Sequence, residues 1–259
     1  MLLSVILLHM NWMRNQFEEI IDTGKIDNLS ETELKNKIMQ ELNYHKYTTK
    51  KSNLNPSNSS LHNPAIDFYL SFCEWSEDGW VEKNTSEYDN HNLYFYPAEY
   101  IPSDEIINYL TNLNEILEIG AGNGYWTYVI NENGGNCLAT DVYPRKAKKN
   151  NFSYPVTNFS LNNSETVWTE VKEKSHECIN QYPNSDILLC HPEGMPWTEE
   201  IIELMNENQK LILIASWFPG PDSTPLFFKK LVDNWTLLKQ LQVYKFKHSH
   251  AQMYVFEKN

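Results

Sequence analysis

Glu118 stands two residues ahead of Gly120-Ala121-Gly122-Asn123-Gly124, inside the run Ile116-Leu-Glu-Ile-Gly-Ala-Gly-Asn-Gly-Tyr-Trp126. The pattern reads as a buried strand carrying an acidic residue near its end, a glycine turn and a helix. Glycines let a backbone turn tightly and approach a ligand without a Cβ clash. A helix entered directly from such a turn presents N–H groups and the positive end of its dipole to a negative group. A unit of this kind suits a nucleotide-like cofactor. A second candidate for chemistry is His191-Pro192-Glu193, with Trp197 just beyond. A histidine titrates near neutral pH and can take a proton from a reacting group. Glu193 could pair with it or hold a cationic substrate. Trp197 and Trp217 could wall a pocket, although ordinary packing explains them as well.

Spacing decides which cofactor. The dinucleotide fingerprint is G-x-G-x-x-G, whose third glycine packs the helix closely on the strand. Here that position is Tyr125, too large for the role, and the chain reads G-x-G-x-G instead. Downstream, a helix over Thr127–Asn133 and a turn at Gly134-Gly135 lead to an apolar stretch, Cys137-Leu-Ala-Thr, that ends in Asp141. Asp141 follows Glu118 by 23 residues, which fits one strand–helix–strand step.

With Glu118, the three glycines and Asp141, the segment resembles motif I and its sequel in the class I S-adenosylmethionine-dependent methyltransferases. The resemblance implies S-adenosylmethionine as cofactor, held by Glu118, Gly120, Ala121, Gly122, Asn123, Gly124 and Asp141. Glu118 would help hold the amino-acid end, and Asp141 would accept hydrogen bonds from both ribose hydroxyls. Gly124-Tyr125-Trp126 and the pair Ile101-Pro102 also resemble a little-characterised group of methyltransferase-like proteins, over roughly residues 95 to 259. In amino-group methyltransferases the fourth strand ends in Asn/Asp/Ser-Pro-Pro-Tyr/Phe. This chain has His191-Pro192-Glu193, without the second proline or the aromatic, which speaks against a flipped adenine as acceptor. The expected acceptor is a small molecule or a protein. Two alternatives stay open at this point: a catalytically inactive domain of the same fold serving as a scaffold, and an NAD-linked oxidoreductase.

The elements that must position these residues follow a regular rhythm. Strands are expected at Glu115–Ile119, Cys137–Asp141, near Tyr154–Phe159, at Asp186–Cys190, Lys210–Ser216, Trp235–Tyr244 and Gln252–Glu257. Helices are expected after Ser103, over Ser164–Gln181, after Thr198 and after Ser223. Strands alternating with helices imply a parallel sheet covered on both faces. The fold class is α/β: a doubly wound, Rossmann-like, seven-stranded sheet closing in an antiparallel C-terminal hairpin, joined by Lys247–His250. Asp186 opens its strand at the far end from any ligand and is expected to be structural. Residues 1–94 form a mainly helical extension, with a capping pattern at Ser30–Glu33, a polar loop or linker near 48–63 and an apolar helix over Ala65–Trp75. Residues 95–259 form the cofactor-binding domain.

Composition narrows the partners. The chain has 259 residues, 41% hydrophobic, and a formal net charge of −13. Nucleic-acid binding relies on Lys and Arg neutralising phosphates, so this balance disfavours a DNA or RNA acceptor. Arg145–Lys149 is a short basic run that reads as a solvated loop. Cys73, Cys137, Cys178 and Cys190 form no C-x-x-C pair, so no metal site is expected. Free thiols in strands fit a reducing, cytoplasmic setting. The apolar start, Met1–Met10, lacks a basic flank and a cleavage site, and is read as part of a packed helix rather than a targeting segment. No segment reaches membrane-spanning length. Oligomeric state cannot be read from the sequence.

Overall fold

The computed structural model describes residues 31–47, 54–76, 79–82, 100–144, 167–192, 196–217, 222–245 and 249–259. The expectations for Met1–Met10, Ser30, Arg145–Lys149, Tyr154–Phe159 and Glu193 lie outside these residues, as does part of the Lys247–His250 turn. In chain order the helices are α1 Glu31–Glu41, α2 Tyr44–Tyr47, α3 Pro64–Phe72, α4 Asp104–Thr111, α5 Tyr125–Glu132, α6 Trp197–Leu204 and α7 Pro225–Asn234. The strands are β1 Cys73–Ser76, β2 Gly79–Glu82, β3 Ile116–Ile119, β4 Cys137–Asp141, β5 Val171–Glu173, β6 Asp186–Cys190, β7 Leu211–Ser216, β8 Trp235–Gln242 and β9 Ala251–Lys258.

Seven strands form one sheet in the order β5-β4-β3-β6-β7-β9-β8. The pairs from β5 to β7 are parallel, while β9 runs antiparallel to both β7 and β8. The last hairpin therefore inserts its second strand between β7 and β8. The chain reverses direction across the sheet between β3 and β6, and at such a switch point the carboxyl ends of the strands leave a crevice.

Alternation along the central strands builds two cores. Ile116, Leu188, Ile212 and Ile214 face one side, with Ile106, Ile107 and Leu110 of α4, Val129 and Ile130 of α5 and Tyr69 of α3. Leu117, Ile187, Leu189 and Leu213 face the other, with Ile201 and Ile202 of α6, Phe227 and Leu231 of α7 and Ile38 of α1. A strand buried on both faces has no polar side, which is why these segments read as continuous apolar runs.

Three expectations change. Val171–Glu173 is a strand, and His176–Gln181 is a 3-10 helix, so the helix expected over Ser164–Gln181 is corrected where it is described. Val167, Val171 and Cys178 mimic a helical stripe, but the free edge of β4 takes a partner: β5 pairs along Ala139–Asp141, and Lys174 N–H donates to the Asp141 carbonyl at 3.0 Å. A sheet edge left open would expose a row of unpaired backbone groups. Second, the helix expected over Ala65–Trp75 ends at Phe72 and turns into the hairpin β1–β2, where Trp80 stacks on Tyr69 and meets Trp75 edge-on. The extension is thus not purely helical. Third, the described part of the polar 48–63 stretch is largely exposed but is anchored at Pro56 and Asn63. Asn63 is buried, its amide donates to the Pro102 carbonyl at 2.8 Å, and its oxygen accepts from the Tyr125 hydroxyl.

Two helix starts are also finer than expected. Thr224 rather than Ser223 caps α7, accepting from Phe227 N–H at 3.1 Å, and Thr198 bonds Ser223 at 2.8 Å instead of capping α6. Asp186 behaves as expected, accepting from Lys210 N–H at 2.8 Å at the far end of β6.

Candidate functional site

The glycine turn follows β3 and enters α5. Gly120, Gly122 and Gly124 have φ of 72°, 57° and 76°, the left-handed region that side chains rarely adopt. Ala121 N–H donates to the Thr140 carbonyl at 3.0 Å, and Gly124 N–H donates to the Ala121 carbonyl at 2.8 Å. The first bond ties the turn to the neighbouring strand β4, and the second closes the turn on itself. Gly124 is required by packing as well as conformation: a Cβ there would lie 2.7 Å from Thr169 Cγ2 and 3.1 Å from Val171 Cγ2. Gly122 differs, because a Cβ there would meet no atom of the described residues within 4 Å. Among the described residues, the middle of the turn borders open space.

Asp141 ends β4 beside this space. Its Oδ2 accepts from Gly122 N–H at 2.9 Å and its Oδ1 from Tyr143 N–H at 2.7 Å. A carboxylate has roughly four lone-pair sites, so two further donors can be accepted. Val142 and Tyr143, directly after it, are 47% and 87% exposed. That apolar surface next to the turn was not singled out from sequence, and its signal was weak: two residues after an acidic strand end.

Glu118 lies beneath the turn, 2% exposed. Its Oε2 accepts from Thr127 N–H at 3.0 Å and from the Thr127 hydroxyl at 2.6 Å. Gly124, the N-cap of α5, has no side chain to satisfy the N–H groups of the first turn. Glu118 supplies that acceptor from the adjoining strand. Burial, with a smaller push from Asp141, raises its pKa from 4.5 to about 7, against the two Thr127 hydrogen bonds. Asn123 completes the turn: its side-chain oxygen accepts from Tyr125 N–H at 3.1 Å, and its carbonyl accepts from Trp168 N–H at 2.9 Å.

The residues after β6 split between two places. Trp197 opens α6 and lies against the glycine turn, its Cη2 3.5 Å from where a Gly120 Cβ would be. Its ring is stacked with His176, centroids 6.4 Å apart, and His176 Nε2 meets Glu200 at 2.8 Å. His191 follows β6 with φ of 49°, and its N–H continues the ladder to the Ile214 carbonyl at 2.9 Å. Its Nδ1 meets a carboxylate oxygen of Asp222, which is wholly buried in the segment between β7 and α7. Asp222 also accepts from Ser216 N–H and, at 3.1 Å, from the Tyr100 hydroxyl. The Tyr100 ring meets the imidazole edge-on, centroids 5.6 Å apart. Asp222 and Tyr100 were not legible as site residues, since neither lies near His191 in sequence. Trp217, the other pocket candidate, is buried: it stacks on Tyr47 with centroids 4.0 Å apart, and its indole N–H donates to the Leu42 carbonyl at 3.0 Å. Its position is one of packing.

Among the described residues there is no group of His, Cys, Asp or Glu that could hold a metal ion, and no helix long and apolar enough to cross a membrane.

No protein-family model matches the chain, and no curated protein matches it. Solved structures do. The M. capricolum TrmK in complex with S-adenosylhomocysteine is 15% identical, over 60% of this chain and 67% of that one, with a TM-score of 0.38. The Burkholderia thailandensis 1,6-didemethyltoxoflavin-N1-methyltransferase, with S-adenosylhomocysteine and 1,6-didemethyltoxoflavin bound, is 14% identical over 65% and 79%, with a TM-score of 0.38. The ribosomal protein L11 methylase of Lactobacillus delbrueckii subsp. bulgaricus is 10% identical over 59% and 74%, with a TM-score of 0.35. An rRNA methylase from Streptococcus thermophilus is matched as well. The expectation against a nucleic-acid acceptor rests on charge and on the residues after the fourth parallel strand, and it is not supported by these matches. The chain's own sheet order, with the glycine turn after its first parallel strand and Asp141 ending the next, is a class I methyltransferase-like fold.

Proposed function

We propose that the protein is an S-adenosylmethionine-dependent methyltransferase whose acceptor, a small molecule or a protein, enters beside His191. The observation that carries this reading is the pairing of Gly122 with Asp141. The turn holds three left-handed glycines, its centre opens onto space that no described residue fills, and the carboxylate that fastens it there has lone pairs to spare. A ribose diol fits those acceptors, and the exposed Val142 and Tyr143 offer apolar surface to a base. Tyr125 fills the position where a dinucleotide-binding turn needs a glycine, and its hydroxyl is bound to Asn63.

Bound there, S-adenosylmethionine supplies an electrophilic methyl group. The chain's residues bind, orient and exclude water. Gly120, Ala121, Gly122, Asn123 and Gly124 line the cofactor, Asp141 holds its ribose, and Glu118 supports the turn from below through α5. Trp197 closes over Gly120. His191 sits at the carboxyl end of β6, next to the switch point where an open doubly wound sheet admits its ligands. Methyl transfer is an in-line displacement, so most of the acceleration comes from positioning. Glu193, two residues on, joins the acceptor side in this reading. Residues 95–259 carry both sites, and the extension 1–94 buttresses them through the Asn63–Tyr125 bond and the Tyr47–Trp217 stack.

Calorimetric titration with S-adenosylmethionine, S-adenosylhomocysteine and NAD tests the proposal. Binding of the first two and not the third is expected. Binding of NAD alone would overturn it, and binding of none would leave the fold as a scaffold.

A further inference from the structure

His191 is not an isolated side chain at a strand end. Its Nδ1 faces Asp222, and Asp222 is itself fixed from two other directions. A backbone N–H can only donate, so the Ser216 amide makes Oδ2 an acceptor. The Tyr100 hydroxyl donates to the same carboxylate at 3.1 and 3.3 Å. Tyr100 is held in turn, since its carbonyl accepts from the Trp126 indole N–H at 3.1 Å and its ring packs edge-on to the imidazole. The Asp222 side chain is 0% exposed, whereas that of His191 is 28% exposed. A buried carboxylate therefore lies in contact with one nitrogen of a ring that is partly exposed. His191 also has φ of 49°, a conformation unusual for a non-glycine residue. Strain of that kind persists where the surroundings over-determine it, and it clusters at functional sites.

We propose that Asp222, held by Ser216 and Tyr100, is a positioning residue that fixes His191 in its Nδ1–H tautomer, so that Nε2 is the base that takes a proton from the methyl acceptor. The inference rests on the methyltransferase reading above and deepens it. A carboxylate accepting from Nδ1 leaves the second nitrogen basic. Such a base serves an acceptor that carries a proton to be lost, a hydroxyl or an amine. As the methyl group is gained, the O–H or N–H bond breaks and its proton passes to Nε2. The bond between methyl and sulfur breaks with its electron pair on sulfur, leaving a neutral thioether. The imidazolium then faces the Asp222 carboxylate and later returns the proton to water.

The test is ¹⁵N-histidine NMR on the full chain, with the His191 signals assigned by their loss in His191→Ala, run beside S-adenosylhomocysteine titration. In the wild type at a pH where the ring is neutral, an Nδ1–H, imine-like Nε2 signature is expected. Asp222→Asn should lose that signature in favour of Nε2–H while S-adenosylhomocysteine affinity stays unchanged. Tyr100→Phe, which deletes only a hydroxyl, should weaken the preference without abolishing it. A wild-type His191 carrying its proton on Nε2 overturns the inference, and that measurement requires no variant to fold. Unaltered tautomer populations in Asp222→Asn overturn it too. Failure of the wild type to bind S-adenosylhomocysteine would instead overturn the methyltransferase reading, whatever the tautomer.

Discussion

The Oε2 of Glu118 accepts both the backbone N–H and the hydroxyl of Thr127, at 3.0 and 2.6 Å. A strand thereby caps the helix that follows it, across a turn whose own N-cap is a glycine. Read by sequence, an acidic residue ahead of a glycine turn points at the cofactor. In the fold its primary partner is α5, and it influences the cofactor site through the turn it steadies.

That burial makes Glu118 a pH-dependent stability element. The folded carboxyl holds its proton more tightly than the unfolded one, with a pKa raised from 4.5 to about 7. Its contribution is therefore fully present below the unfolded value and is lost as pH rises through about 7. The shift corresponds to roughly 3 kcal/mol at full ionisation. Glu118→Gln keeps an oxygen for Thr127 and cannot ionise. Urea unfolding should show the variant and the wild type close at about pH 4.5, and the variant gaining by up to roughly 3 kcal/mol at about pH 8. Parallel pH profiles would mean that the carboxyl is not the group that titrates.

Asp141 has two tasks, and its replacement should show both. Asp141→Ala removes the acceptor for Gly122 N–H and the proposed ribose ligand together. S-adenosylhomocysteine affinity should fall by about 1–3 kcal/mol, the range for lost charge-assisted hydrogen bonds. Asp141→Asn keeps one oxygen for the turn and should lose less. Equal affinity in wild type and both variants by calorimetry would place the ribose elsewhere.

The glycines of the turn should separate by experiment. Gly124→Ala puts a Cβ 2.7 Å from Thr169 Cγ2 in a left-handed conformation, so stability should drop by about 1–3 kcal/mol from overpacking alone. At Gly122 a Cβ meets no atom of the described residues within 4 Å. Asn tolerates positive φ better than most residues, so Gly122→Asn should cost about 1 kcal/mol or less in stability yet abolish S-adenosylhomocysteine binding. Gly122→Val should lose binding as well, with added strain. A Gly122→Asn protein that unfolds like the wild type and binds like it would show that the ligand does not use this space.

Much of this architecture was legible because it obeys short-range rules. β3, β4, β6 and β7 are apolar runs buried on both faces, and the glycine turn sits between a strand and a helix that each carry their own periodicity. The edge strand β5 was hidden. Its three residues, Val171–Glu173, are largely solvent-facing, and only the need to close β4 makes them a strand. The site behaved the same way. Glu118, the glycines and Asp141 lie within one strand–helix–strand step, so spacing reveals them. Tyr100 and Asp222 reach His191 from the segment before α4 and the loop after β7, and no local pattern links positions so far apart. Trp197 and Trp217 look alike in sequence. One lies against Gly120 and the other is stacked in the core on Tyr47, a difference set by tertiary packing alone.

His191 provides the sharpest contrast with Asp141. Its ring is held by Asp222 and Tyr100, whereas Asp141 fastens the glycine turn through Gly122 N–H. If it serves the acceptor, replacing it should not disturb the cofactor. His191→Ala should bind S-adenosylhomocysteine within about 0.5 kcal/mol of the wild type, the range of a substitution outside the binding contacts. With an acceptor in hand, turnover at saturating cofactor should fall by roughly 10²-fold or more, as expected for loss of a general base. Asp141→Ala should show the reverse, with weakened cofactor binding and turnover largely restored at high S-adenosylmethionine. Both variants can be compared in one set of titrations and one saturation curve. Loss of cofactor affinity in His191→Ala with turnover retained at saturation would move His191 to the cofactor side and empty the acceptor assignment made here. Methylation of adenine in DNA or RNA by the purified protein would likewise remove the charge-based expectation about its acceptor, whatever His191 does.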